Sequence, residues 1–288
     1  MQIIRDLVSL RTAVFSLKTS SSPQGQGGGH IALVPTMGAL HDGHLSLVRA
    51  AKAHADHVIV SIFVNPIQFG PNEDLDAYPR QEAQDAALLE SEGVSILWAP
   101  TVSEMYPTGF ATNISVGGVS EGLCGASRPG HFDGVATVVT KLLNQVQPDV
   151  ALFGEKDYQQ LAVIRRFVAD LNLPAQIIGV PIARAADGLA LSSRNAYLSV
   201  EEREQAPALY QAMQNAARQI TSGMNITETL DTLKQQLLNS GFASVEYAEL
   251  RDAESLSPIA DITKEGRLLV AARLGKTRLI DNIAVKTK

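Results

Sequence analysis

Residues 31–44, IALVPTMGALHDGH, decide the fold. The run at 31–34 is apolar at every position, and a Gly-containing turn then leads into a helical stretch over about 44–54. A run too short for a helix and apolar throughout reads as a strand buried on both faces. The same unit recurs along the chain. Residues 58–64 form a β-branched run followed by a long polar loop and a helix over about 81–91. Strand patterns at 94–98, 150–153 and 175–180 are interleaved with helical patterns at 135–146 and 159–171. Ahead of them lie a helix over about 3–17 and a Ser/Gly/Gln-rich segment at 20–29 that reads as a flexible surface loop. This alternation predicts an α/β fold with a Rossmann-like, doubly wound parallel sheet.

The pattern changes near Ile182. Helices at 201–222 and 226–240 are followed by strands at 245–250, 267–273 and 278–285 with no helix between them. That order predicts a smaller C-terminal α+β domain, dividing the chain into residues 1–182 and 183–288.

Composition narrows the function classes. The 288 residues carry a net charge of −6, with 45% hydrophobic and 19% charged residues. An acidic chain without a basic run lacks the phosphate-neutralising surface of a nucleic-acid binder. No apolar run approaches the roughly 20 residues of a membrane span. Arg5, Asp6 and Arg11 interrupt any signal-peptide core, so the expected location is cytoplasmic. Cys124 is the single cysteine; His131, seven residues on, is a conceivable partner, against the plainer reading of an inert thiol.

Doubly wound sheets bind ligands beyond the carboxyl ends of their strands. The first such loop holds Met37, Gly38, Ala39, Leu40, His41, Asp42, Gly43 and His44. A helix amino terminus offers unpaired N–H groups and a positive dipole end to phosphate, and Gly38 and Gly43 allow close backbone approach. His41 and His44, three residues apart, share one side of the first turn. Either could donate to a phosphate oxygen and, when protonated, stabilise charge on a leaving pyrophosphate. Spacing alone leaves open a nucleotide site, a two-His metal site lacking a third ligand, or plain loop histidines.

Three further loops carry polar groups. Asn65 and Gln68, in a Pro/Asn/Gly loop running to Asn72, offer amides suited to hydroxyl and carboxylate groups, or simply form a turn. Gly154, Glu155, Lys156 and Asp157 end the fourth strand. There Lys could meet phosphate and the acids could orient it or bind ribose or magnesium, with Asp157 as a helix N-cap the alternative. Gln160 follows in the first turn of the next helix. Residues 187–195, DGLALSSRN, contain Ser192, Ser193 and Arg194, either a clamp for a triphosphate or a linker. A mobile loop there would close over ATP and exclude water.

The stretches PTMGALHDGH, FVNPIQF, RPGHFDGV, FGEKDYQQL and DGLALSSRNAYLS together resemble the pantothenate synthetase (pantoate–β-alanine ligase) family over nearly the whole chain. The resemblance implies ATP-dependent condensation of pantoate with β-alanine through a pantoyl adenylate, in a homodimer, with Mg2+ accompanying ATP. It implies that Met37 to His44 contact ATP, with His44 as proton donor and His41 beside the phosphates. Gln68 and Gln160 would bind pantoate, Gln68 also lying next to β-alanine, and Asn65 is grouped with them. Gly154, Glu155, Lys156 and Asp157 would hold ribose and phosphates. Leu191, Ser192, Ser193 and Arg194 would meet the triphosphate, and the Ala183 backbone would lie near adenine. Residues 128–134 resemble a loop over the active site. On this reading residues 1–182 bind nucleotide and pantoate, and 183–288 form a lid. Two departures stand out: the 20–29 loop is longer than usual, and QEAQD follows the YPR of 78–80, leaving Asp85 as a weak magnesium candidate.

Other functions share the HxGH turn. A nucleotidyltransferase acting on a phosphate ester would need a second basic phosphate pocket. A class I aminoacyl-tRNA synthetase would need a tRNA-binding surface, and a nucleotide-sensing module would bind ATP without turnover.

Overall fold

The computed structural model describes residues 1–19, 28–71, 73–261 and 263–286. The expected 20–29 loop falls outside the described residues up to position 27, as does Asn72. The chain forms two compact units, Met1–Glu155 with Val163–Pro181, and Lys156–Ala162 with Ile182–Lys288. The partition differs from a simple cut at 182 because the Lys156–Ala162 segment is tied into the second unit. There Asn282 Nδ2 donates to the Lys156 carbonyl at 2.9 Å and Tyr158 Oη to the Ala253 carbonyl at 2.8 Å.

The first unit runs β1 (Gln2–Ile4), α1 (Leu7–Thr19), β2 (Ile31–Thr36), α2 (Asp42–Ala51), β3 (His57–Ile62), α3 (Glu82–Ser91) and β4 (Ile96–Trp98). It continues through α4 (Val102–Met105), α5 (Leu123–Ser127), α6 (His131–Val146), β5 (Val150–Gly154), α7 (Tyr158–Asp170), whose residues up to Ala162 count with the second unit, and β6 (Gln176–Val180). The described strands order as β1-β4-β3-β2-β5-β6, and every neighbouring pair is parallel. Along β2, Ile31 and Leu33 face one side and Ala32 and Val34 the other, and all four are fully buried. Helices therefore cover both faces, as the continuous apolar runs required. Ala32 and Val34 pack with Leu47, Val48 and Ala51 of α2 and Leu89 of α3.

The amino terminus differs from the expected single helix over 3–17. Gln2–Ile4 instead pairs with Ile96–Trp98, and Asp6 Oδ1 accepts the Ser9 N–H at 2.8 Å to start α1. A three-residue strand is too short to show a period, and its partner lies across the sheet. The Asp6 cap was the one local signal of the true helix start.

The second unit holds α8 (Val200–Gln205), α9 (Ala208–Thr221) and α10 (Ile226–Asn239), then the antiparallel meander β7 (Ser244–Asp252), β8 (Gly266–Leu274) and β9 (Thr277–Val285). The expected helix over 201–222 is split at Pro207, which lacks the N–H that would continue the ladder. Leu209, Met213, Ala216 and Ile220 of α9 form one buried stripe against Leu268, Val270 and Ala272 of β8.

Candidate functional site

Strand order in the first unit reverses between β2 and β5, so the carboxyl ends of these two strands flank the crevice where such sheets bind ligands. Met37 to His44 leave β2 there, and Gly154 and Glu155 end β5.

The turn satisfies its own backbone to an unexpected degree. The Gly38 N–H donates to Thr36 Oγ1 at 3.2 Å, and the Ala39 and Leu40 N–H groups donate to Asp85 Oδ2 and Oδ1, each at 2.9 Å. Gly38 takes φ +82° and Ala39 φ +50°, left-handed geometry that is rare for a residue bearing a Cβ. The two histidines then cap α2. Gly43 N–H donates to His41 Nδ1 at 3.1 Å, and His41 N–H donates to His44 Nδ1 at 3.3 Å. An Nδ1 that accepts carries no proton, so the neutral ring holds its hydrogen on Nε2, at the far side from the backbone. Both imidazoles are thereby set as Nε2–H donors, with ring centroids 4.1 Å apart and both rings partly exposed. Asp42 is exposed at the first helical position.

Gln68 meets this turn directly: its Nε2 donates to Met37 Sδ at 3.1 Å. A thioether is a weak acceptor, so a carboxylate or hydroxyl would compete well for this amide. Asn65, grouped with it as a ligand-binding amide, is 1% exposed and engaged within the protein. Its Nδ2 donates to Gln68 Oε1 and to the Gly134 carbonyl, both at 3.1 Å, and its Oδ1 accepts from Tyr106 Oη at 2.7 Å. It holds the Gln68 side chain through Oε1.

Residues 128–134, expected as a loop, form the α5–α6 junction. Arg128 forks onto Glu73 with two 2.6 Å bonds and reaches His131 Nε2 at 2.9 Å, while His131 Nδ1 lies 2.9 Å from the Gln68 carbonyl. A carbonyl only accepts and a guanidinium only donates, so this imidazole carries its proton on Nδ1. With both nitrogens engaged, His131 is not a base for the buried Cys124. Burial pushes the Glu73 carboxyl up, but the Arg128 bonds and charge outweigh it and hold the carboxyl below the usual glutamate value. Tyr106, half-buried, has its phenol pushed up by burial. Residues 128–134 were expected near the site, but sequence reasoning missed Glu73 and Tyr106, because their partners lie 55 and 41 positions away.

The second unit gathers Lys156, Asp157, Gln160, Ala183, Leu191, Ser192, Ser193 and Arg194. Lys156 Nζ lies 3.5 Å from Asp157 Oδ2, and Gln160 is partly buried in the first turn of α7. Leu191 N–H donates to the Ala183 carbonyl at 2.9 Å, closing a small hairpin that brings the 183 backbone beside the 191–194 segment. Ser192 Oγ accepts the Arg194 N–H at 3.3 Å and caps the 3-10 turn Ser193–Tyr197. Asn282 Oδ1 also accepts from Arg267 Nε at 2.6 Å, so the group holding the Lys156 carbonyl is itself fixed.

Among the described residues no group of three or more His, Cys, Asp and Glu is arranged to hold a metal ion. Asp85, the magnesium candidate after the YPR of 78–80, is 1% exposed and turned onto backbone amides. With both oxygens on buried amides, Asp85 does not fit a magnesium ligand, whose octahedral shell keeps several waters. No described helix is long and apolar enough to cross a membrane.

The model of the family described as Pantoate-beta-alanine ligase matches residues 2–284. Proteins named pantothenate synthetase from Sphingopyxis alaskensis and Novosphingobium aromaticivorans are 60% and 61% identical to the chain over 285 and 290 residues. The matches cover 99% of the chain, and 100% and 99% of those proteins. The crystal structure of pantothenate synthetase from Thermus thermophilus superposes with a TM-score of 0.91 at 45% identity, covering 99% of this chain and 100% of that one. The Francisella tularensis pantoate–β-alanine ligase, solved in complex with β–γ ATP and β-alanine, gives 0.81 at 36% identity, with coverage of 100% and 99%.

Proposed function

The chain belongs to the pantoate–β-alanine ligase family, and from that premise we propose that it condenses pantoate with β-alanine through a pantoyl adenylate formed from ATP. In the first step a pantoate carboxylate oxygen attacks the α-phosphorus, and the bond to the β-phosphate oxygen breaks to release pyrophosphate. In the second the β-alanine amine attacks the acyl carbon, AMP leaves with the C–O bond electrons, and the amine loses a proton. Neither step needs a protein nucleophile, so catalysis consists of positioning and charge stabilisation.

The observation that carries this reading is the tautomer set by the α2 cap. His41 and His44 each keep Nδ1 on the backbone and present Nε2–H, at the carboxyl end of β2 where the strand order reverses. His44 donates to the phosphate oxygen gaining charge as pyrophosphate departs, and His41 sits beside the phosphates. Gln68 offers its amide to pantoate and to β-alanine, and Gln160 also binds pantoate. Gly154, Glu155, Lys156 and Asp157 take the ribose and phosphates. Leu191, Ser192, Ser193 and Arg194 hold the triphosphate, and the Ala183 backbone lies against adenine. Magnesium enters with ATP as part of the substrate. The Francisella relative, at 36% identity over the full chain and in complex with β–γ ATP and β-alanine, supports ATP and β-alanine as substrates.

We further place the enzyme in the cytoplasm, where ATP is available, as a homodimer; light scattering at twice the chain mass tests the latter. Residues 1–182 serve as the nucleotide- and pantoate-binding part and 183–288 as the lid. The deciding assay is pantoate-dependent, β-alanine-independent exchange of labelled pyrophosphate into ATP. Exchange is expected. Its absence in folded protein that still forms pantothenate would eliminate the adenylate.

A further inference from the structure

We propose that Asp85 is a positioning residue that sets the shape of the nucleotide turn through two backbone amides, and that it does not ligate magnesium. The inference rests on the adenylate-forming reading above, since it concerns how the same turn is held.

The carboxylate is 1% exposed, yet it lies in the first turn of α3 and faces the turn rather than solvent. Each oxygen takes one of two consecutive amides, Ala39 on Oδ2 and Leu40 on Oδ1, and Gln81 Nε2 approaches Oδ1 at 3.3 Å. A buried charge is tolerated where hydrogen bonds replace its water, and these are charge-assisted bonds to groups that can only donate. The packing is close as well. A Cβ built on Gly38 would stand 3.1 Å from Asp85 Oδ2 and 3.0 Å from Ile62 Cγ2, so the glycine makes room for the carboxylate.

Two consequences follow for the site. The Ala39 and Leu40 amides point at a carboxylate and are not offered to a phosphate, which leaves anion recognition at this turn to the Nε2–H groups of His41 and His44. The left-handed conformations at Gly38 and Ala39 are held by the same carboxylate, and the chain enters the α2 cap directly after them. Moving the turn therefore moves both imidazoles. Magnesium has no place in this arrangement, because its ligand shell would have to displace the amides and open a closed contact.

Substitution separates the two roles. Asp85→Asn replaces one acceptor by a donor facing an N–H, and Asp85→Glu keeps the charge but lengthens the reach. Both are expected to lower kcat of pantoate-dependent pyrophosphate exchange by about 10²-fold, the scale of a 1 Å misplacement. KM for pantoate and the magnesium concentration for half-maximal rate should stay at wild-type values. Recovery of Asp85→Asn at raised magnesium, or wild-type exchange in either variant, overturns the inference. Hydrogen exchange on the wild-type protein decides the matter even if the variants do not fold. The Ala39 and Leu40 amides, outside any helix or strand, should be as protected as those of β2, and loop-like exchange at both overturns the assignment. A wild-type protein with protected amides but no pyrophosphate exchange would instead sink the adenylate reading and leave the turn geometry standing.

Discussion

His131 donates through Nδ1 to the backbone carbonyl of Gln68 at 2.9 Å, and Arg128 donates to the opposite ring nitrogen. The start of α6 is thereby fastened to the short 3-10 turn Pro66–Gln68, whose amide we assign to pantoate. Gly134 is part of the same fit, because a Cβ there would come within 2.6 Å of Gln68 Cα. Glu73 completes the brace by holding Arg128 in a fork.

Truncating this brace should affect the acid more than the nucleotide. His131→Ala is expected to raise KM for pantoate by roughly 10-fold or more, within the range for displaced substrate-positioning groups, and to leave KM for ATP near wild type. Steady-state kinetics with each substrate varied would check this, and an equal rise for both would point to general loosening.

Acid should weaken the brace in a defined direction. The Glu73 carboxyl lies below its ordinary value in the folded protein, so its contribution to stability is complete above the unfolded glutamate value of about 4.3. That contribution is lost as pH falls through the lower folded value. Thermal midpoints measured between about pH 5 and pH 3 should fall more steeply for the wild type than for Glu73→Gln. Parallel curves would show that the pair contributes nothing.

His44→Ala removes the proposed Nε2–H donor together with half of the α2 cap. Pyrophosphate exchange is expected to fall by about 10² or more, the cost of one charge-stabilising donor. Exchange within a few-fold of wild type would remove His44 from that role.

In the second unit Arg184 forks onto Asp281 at 2.6 and 2.7 Å while its guanidinium lies 3.8 Å from the Tyr210 ring centroid. Asp281 is 3% exposed, so Arg184→Leu would leave a buried carboxylate without its cation. The loss of unfolding free energy should be about 3–5 kcal/mol in urea titrations. A loss near that of an exposed ion pair, about 1 kcal/mol or less, would show that water reaches the carboxylate.

Much of the architecture was legible along the chain. The strands β2, β3 and β5 are locally apolar at most positions, so their burial on both faces, and hence a parallel sheet, follows from composition over a few residues. The HxGH turn, the paired amides and the change of pattern near 182 are likewise local. Pro207, which divides α8 from α9, is a local signal as well. Tertiary structure alone decided which groups the local motifs would use. The Ala39 and Leu40 amides, inside the stretch expected to contact ATP, donate to Asp85, 46 and 45 positions away. Asn65, read as a ligand group, is spent on Gln68 and Gly134, and the Lys156 carbonyl is held from β9 by Asn282, 126 positions away. The physical reason is common to all three. Burial of apolar surface is encoded residue by residue, whereas a buried hydrogen-bonding group is satisfied by whichever partner the strand order brings within about 3 Å, and no spacing in the sequence encodes that meeting.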